Sequence, residues 1–229
     1  MSEPTGNSVH KEFELERMIL FSDAVFAIAI TLLIIEIKFP ELPENYRKSL
    51  DLFVMFKPTL IQFFGFFLSF FFVGMSWSRH LKMFRYLKAY DDGVIFRNLL
   101  SLLFIVAFPF AASGVTHLRQ GFMFPIIIYI GNIMLMALSN FWLAYYIFKH
   151  KPTLSIPGHE PEKIYIYMQS KGFAVALTIG FIIILTTAII TGNNKEYVTL
   201  SFYPFIFIVI AMRRWLRRYK PQKIVSLGE

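Results

Sequence analysis

Six apolar runs separated by short polar connectors set the plan of the chain. They cover residues 18–37, 58–77, 94–115, 122–148, 172–191 and 197–212. About 20 consecutive apolar residues cross a bilayer core as a helix, so the first five are long enough to span. The sixth is shorter and carries Pro204, and its aromatic start (Tyr197, Phe202, Tyr203) suits a membrane interface. Lys and Arg collect unevenly between the runs. The N-terminus, the second-to-third connector, the fourth-to-fifth connector and the tail hold most of them. The positive-inside rule then puts both termini in the cytoplasm, which only an even number of spans allows. The expected fold is all-α: residues 1–229 form one integral-membrane domain, a single six-helix repeat.

Composition agrees. The chain has 229 residues, is 56% hydrophobic and contains 27 Phe, with a mean hydropathy of +0.55. A soluble domain this apolar would expose large sticky patches. The net charge of +8 needs no nucleic acid to explain it, because the loops of a membrane protein collect cations. There is no cysteine, which excludes disulfides, thiolate metal sites and cysteine nucleophiles. The N-terminus has four glutamates and no basic segment ahead of a short apolar core, so it is not expected to be a signal peptide. The basic tail, RRWLRRYKPQK, reads as an anchor at anionic membrane lipid.

Chemistry of the catalytic kind is missing. No HExxH, Walker A motif, GxGxxG in a strand–turn–helix context or Ser-His-Asp arrangement is visible, and His10, His117, His150 and His159 are not spaced as ligands. The chain is expected to be neither an enzyme nor a cofactor protein. The polar residues of the first run carry the interest. From Met18 to Ile37 only Ser22, Asp23, Thr31 and Glu36 are polar. A carboxylate inside a membrane helix is costly unless partnered. Trp77 and His80 end the second run on the side from which Ser22 and Asp23 enter, and Arg97 and Asn98 enter there too. A hydrogen-bonded clamp follows, with Asp23–His80 or Ser22–Trp77 as contacts the depths allow. At 100° per residue, Phe21, Ile28 and Ile35 fall on one line flanked by Ala24, Thr31 and Leu32, with Asp23 about 140° from Ile28. That apolar stripe, taken alone, reads as packing or lipid contact. Glu36 is an interfacial carboxylate or part of an acidic ring at an outer mouth.

Arg17-x-x-x-Phe21-Ser22-Asp23, then Trp77-x-x-His80, Asn98 and Phe108-Pro109, resemble the transmembrane protein 175 family of potassium channels. The resemblance covers the first three helices. One signature per chain resembles the prokaryotic members, and implies a homotetramer in a bacterial plasma membrane with four first helices around a central pore. It implies apolar constriction rings at Ile28, Thr31, Leu32 and Ile35, with a potassium ion passing near the Thr31 hydroxyls. These positions coincide with the stripe derived from helix geometry. Arg17, Phe21, Ser22, Asp23, Trp77, His80 and Asn98 make up the signature and hydrogen-bond clamp, with Ser22, Asp23, Trp77 and His80 acting behind the pore. Arg17 falls on the line of Ile28 at the inner mouth and is expected to be paired. The implied function is passive, potassium-over-sodium conduction through a gate that closes by dewetting. The rival reading is a proton channel or proton-coupled transporter that uses Asp23 and His80. A structural or signalling protein is a third, weakened by the lack of any soluble domain.

Overall fold

The computed structural model describes residues 6–38, 52–116, 124–192 and 195–220. Every element of length in them is helical. Helix α1 (Gly6–Leu32) runs into a 3-10 turn, Leu33–Glu36. Then come α2 (Leu52–Phe84), α3 (Asp92–Val106), α4 (Phe108–Thr116), α5 (Phe124–Tyr145), α6 (Glu160–Ile190), α7 (Lys195–Leu200) and α8 (Phe202–Leu216). Among the described residues, four stretches are long and apolar enough to cross a membrane: Phe13–Ile35, Asp92–Gly114, Phe124–His150 and Glu160–Ile190. The second predicted span lies within the 33-residue α2. The sixth is divided at Ser201 into α7 and α8.

Local chemistry sets these boundaries. Asp91 caps α3, its carboxylate accepting from the Val94 N–H at 3.0 Å. The third predicted span is broken after Val106, and Pro109 occupies the second position of α4, where its missing N–H costs nothing. The fifth run was expected to begin at Gly172, yet α6 starts at Glu160. Gly158 and His159 take positive φ (77° and 57°) to turn the chain, and Glu160, Pro161 and Glu162 open the helix. Acidic residues and proline both favour a first turn. Lys163 then folds back, donating to the Ile156 carbonyl and the Glu160 carboxylate.

Two apolar clusters hold the bundle. One centres on Phe26, Leu33, Val73, Ile105, Phe108 and Met136. The other, at the end where α2 stops, centres on Met83, Phe84, Val94, Leu143 and Ile147. At this basic end the two connectors are stitched together. Lys88 N–H donates to the Leu154 carbonyl (2.9 Å) and Ile156 N–H to that of Tyr86 (2.9 Å). Helix α1 packs on α2, α3 and α4, whereas α6 packs chiefly on α5 and α8. The bundle is therefore layered, with α1 on one side and α6–α8 on the other.

Candidate functional site

Helix α1 has two unlike faces. Leu15, Ser22, Phe26, Ala29 and Leu33 recur at helical spacing and are buried. The face bearing Phe21, Ala24, Ile28, Thr31, Leu32 and Ile35 is exposed. Ile28 is 59% and Ile35 67% exposed, against 1% for Phe26 and 3% for Leu33. An isoleucine face this open in a packed bundle is awaiting lipid, water or another chain. Within it, Thr31 donates its hydroxyl hydrogen to the Ile28 carbonyl (2.9 Å). Thr31 is itself exposed. The side chain of Glu36 lies outside the described residues.

The buried face is held by polar bonds. His80 Nε2–H donates to Asn98 Oδ1 (2.8 Å), Asn98 Nδ2 to Ser22 Oγ (2.9 Å), and Ser22 Oγ to the Met18 carbonyl (2.9 Å). This orientation of the Asn98 amide satisfies both neighbours and places the His80 proton on Nε2. Ser22, His80 and Asn98 are each at most 1% exposed. The imidazole lies between two rings, stacked on Phe84 at 4.1 Å and tilted against Phe26 at 5.5 Å. Asp23 sits beside this chain of bonds and accepts from the Trp77 indole N–H (2.9 Å). The sequence suggested Asp23–His80 or Ser22–Trp77. The structure exchanges the partners because Asn98 of α3 enters between α1 and α2 and takes both Ser22 and His80.

Arg17, expected to be paired, is exposed and meets only the Phe13 ring, 6.0 Å from its guanidinium, with no carboxylate partner among the described residues. It lines a shallow surface groove with Glu14, Phe21 and Tyr90.

The sequence reading missed the inner stripe of α2. Thr59, Gln62, Ser69, Ser76 and His80 follow a three-four spacing along a helix whose other faces are largely Phe. Ser69 meets Tyr129 (3.0 Å), and Ser76 accepts from Asn140 (3.0 Å). Thr59 and Gln62 bond the backbone of Lys38 (3.3 and 3.1 Å). The helix is inside-out: aromatic outward and polar inward. Three-four periodicity of its polar residues was the signal, hidden by the density of Phe.

At the basic end Asp91 is a second hub. Its carboxylate accepts from Lys151 (2.5 Å) and Tyr146 (2.9 Å). Burial pushes the carboxyl up, but Lys151, Tyr146 and the Val94 N–H outweigh it and hold it below its usual 3.8. The same partner raises the Lys151 ammonium above 10.5. Tyr146 opens a π-helical turn, Tyr146–His150, and Arg97 lies over its ring at 3.9 Å and over that of Trp142 at 4.4 Å. No group of His, Asp and Glu among the described residues is arranged to hold a metal.

Comparison with known proteins follows the same outline. Residues 17–109 match the family described as "Endosomal/lysosomal potassium channel TMEM175". A potassium channel of Chryseobacterium sp. (strain P1-3) is 33% identical over 121 residues, covering 52% of this chain and 57% of that one. The chain thus spans little over half the length of that relative. The endosomal/lysosomal proton channel TMEM175 of Mus musculus is 32% identical over 117 residues, which is 48% of this chain and 23% of the mouse protein. Among solved structures, a lysosomal potassium-selective channel TMEM175 homolog from Chamaesiphon minutus superposes with a TM-score of 0.64 at 21% identity, covering 87% of this chain and 98% of the other. At that identity the likeness is one of fold.

Proposed function

We propose that the chain is a member of the TMEM175 family, a multi-pass integral membrane protein, and that it works as a potassium-selective channel whose pore is lined by α1. The observation that carries the reading is the uncovered stripe of α1. Of the four candidate spans α1 is the least buried within the chain, at 22%. Four copies in a homotetramer would turn Ile28, Thr31, Leu32 and Ile35 inward around one axis. Rings of isoleucine and leucine dewet when narrow, and conduct when the helices tilt enough for water to enter. Potassium sheds its water more cheaply than sodium and crosses such a ring more easily. With its hydrogen donated to the Ile28 carbonyl, the exposed Thr31 hydroxyl oxygen would be free to accept a cation and compensate part of that loss. Ile28 is assigned the narrowest ring, and Glu36 the outer mouth.

The bonds of Ser22, Asp23, Trp77, His80 and Asn98 fix the rotation of α1, so that the apolar stripe and not the polar cluster faces the axis. Arg17, exposed at the inner end of the same line, would repel cations unless the assembly supplies a partner. The test is ion flux in liposomes containing only the purified protein. Potassium flux well above sodium flux is expected, and Ile28→Asn should wet the ring and lower the ratio. Equal flux of both ions through the unsubstituted protein overturns the selective reading.

A second reading, proton conduction, is supported by the proton-channel name of the mouse relative. A direct Asp23–His80 relay finds little support, since each is committed to another partner. Protons would instead share the α1 pathway. Proton flux without potassium flux in the same liposomes would select this reading.

A further inference from the structure

Two apolar grooves flank α6, and no residue of α1 lines either of them. The larger, about 580 Å³, lies between α3, α5 and α6. Leu100 and Phe104 form one wall, Leu135 and Leu138 the other. Its volume is within the range of pockets that hold a small ligand. The smaller, about 430 Å³, lies between α6 and α8 and is lined by Val175, Ile208 and Trp215 among others. Gly172 sets this close packing, since a Cβ there would stand 3.2 Å from Met212 Cγ.

Lys171 lines both grooves. It is the last charged residue of α6 and lies about three turns inside the helix. Its side chain is exposed, and among the described residues it has no hydrogen-bonded or ionic partner. No carboxylate lines either groove. Further cations border the larger groove through its aromatic walls. Lys149 lies 5.6 Å from the ring of Tyr167, and Arg97 4.4 Å from that of Trp142. An ammonium flanked by apolar channels at membrane depth needs an anion that is itself attached to apolar chains. Lysine meets a phosphate as a point charge from any direction, and aromatic residues with such cations mark the headgroup level.

We propose that Lys171 anchors the phosphate of an anionic phospholipid, with one acyl chain in the α3/α5/α6 groove and the other in the α6/α8 groove. Lys149 and Arg97 add attraction for a headgroup of net negative charge, which separates such a lipid from a zwitterionic one. Since no α1 residue lines either groove, a lipid there would steady α6 and α8 without contacting the pore helix.

The experiment is native mass spectrometry of the purified full chain in mild detergent, after exposure to mixed micelles of phosphatidylglycerol and phosphatidylcholine in equal amounts. The unsubstituted protein should retain phosphatidylglycerol in preference. Lys171→Gln should weaken that retention about tenfold, the scale of one lost charged hydrogen bond. Lys171→Arg should restore it, and Lys88→Gln, at an exposed lysine outside both grooves, should leave it unchanged. Should Lys171→Gln fail to fold, Leu135→Trp decides, because it fills the groove with every charge in place. The proposal is overturned if Lys171→Gln matches Lys88→Gln, if both lipids bind equally, or if Leu135→Trp keeps full retention. It is equally overturned if no lipid is retained and Leu135→Trp instead dissociates the oligomer, which would make a second copy the occupant.

Discussion

Asn98→Ala should be among the most damaging single substitutions in the chain. Asn98 is 1% exposed and makes two of the three hydrogen bonds that run from His80 to Met18. Hydrogen bonds between membrane helices are worth about 0.6 kcal/mol on average and up to about 1.7, so the two together account for roughly 1–3 kcal/mol. Ser22 keeps its bond to Met18, but His80 Nε2–H is left buried without an acceptor, which costs about 1–3 kcal/mol. The expected loss is therefore about 2–6 kcal/mol, falling toward the lower end if water enters. Replacing the stranded partner as well, in Asn98→Ala/His80→Phe, should remove the orphan penalty. The double substitution should then cost less than the sum of the two singles by at least about 1 kcal/mol. Denaturant unfolding of the detergent-solubilised protein, followed by tryptophan fluorescence, measures each corner of the cycle. A single-substitution loss under about 0.5 kcal/mol, or additive costs in the double, would refute the clamp as drawn.

Other outcomes follow from the basic end. Gly93→Ala places a Cβ 2.2 Å from the Tyr146 hydroxyl, so the Tyr146 ring must move and its bond to Asp91 and its contact with Arg97 are disturbed. A loss of about 1–3 kcal/mol is expected from such overpacking, and an unchanged melting temperature would contradict it. The Asp91 carboxyl is held below 3.8, so its contribution to stability is complete above that value and fades as pH falls through the lowered one. The raised Lys151 contributes below 10.5, and that part fades as pH rises through its raised value. Melting curves of wild type and Asp91→Asn should differ by a constant amount from about pH 5 to 9 and converge in acid. A difference that grows on acidification would show the sign to be wrong.

The sequence carried the all-helical fold and the four apolar spans found among the described residues, because span length is fixed by bilayer thickness and needs no tertiary information. It also carried the membership of the polar cluster, since Ser22, Asp23, Trp77, His80 and Asn98 share a depth. The pairing was not legible, because depth alone cannot tell which of three helices intrudes between the other two. Asn98 does so, and that decides His80 and Asp23 at once. The start of α6 at Glu160 was missed for a related reason. Its first turns are polar, and hydropathy marks where a helix enters apolar surroundings, not where it begins. The inward polar stripe of α2 was written in a three-four pattern that a count of Phe conceals.

The central claim is that the uncovered stripe of α1 faces a water-filled axis and not lipid. Both settings accept isoleucine, so composition cannot separate them, but reactivity can. The chain contains no cysteine, so single cysteines can be introduced without background. Ile28→Cys and Ile35→Cys are compared with Phe64→Cys and Phe71→Cys, which replace exposed aromatic residues on α2. A thiol reacts as the hydrated thiolate, and a charged methanethiosulfonate reaches it only through water. The account predicts rapid modification and loss of potassium flux at residues 28 and 35, with neither at 64 and 71. Inert cysteines on α1, or modification there that leaves the flux intact, would contradict it.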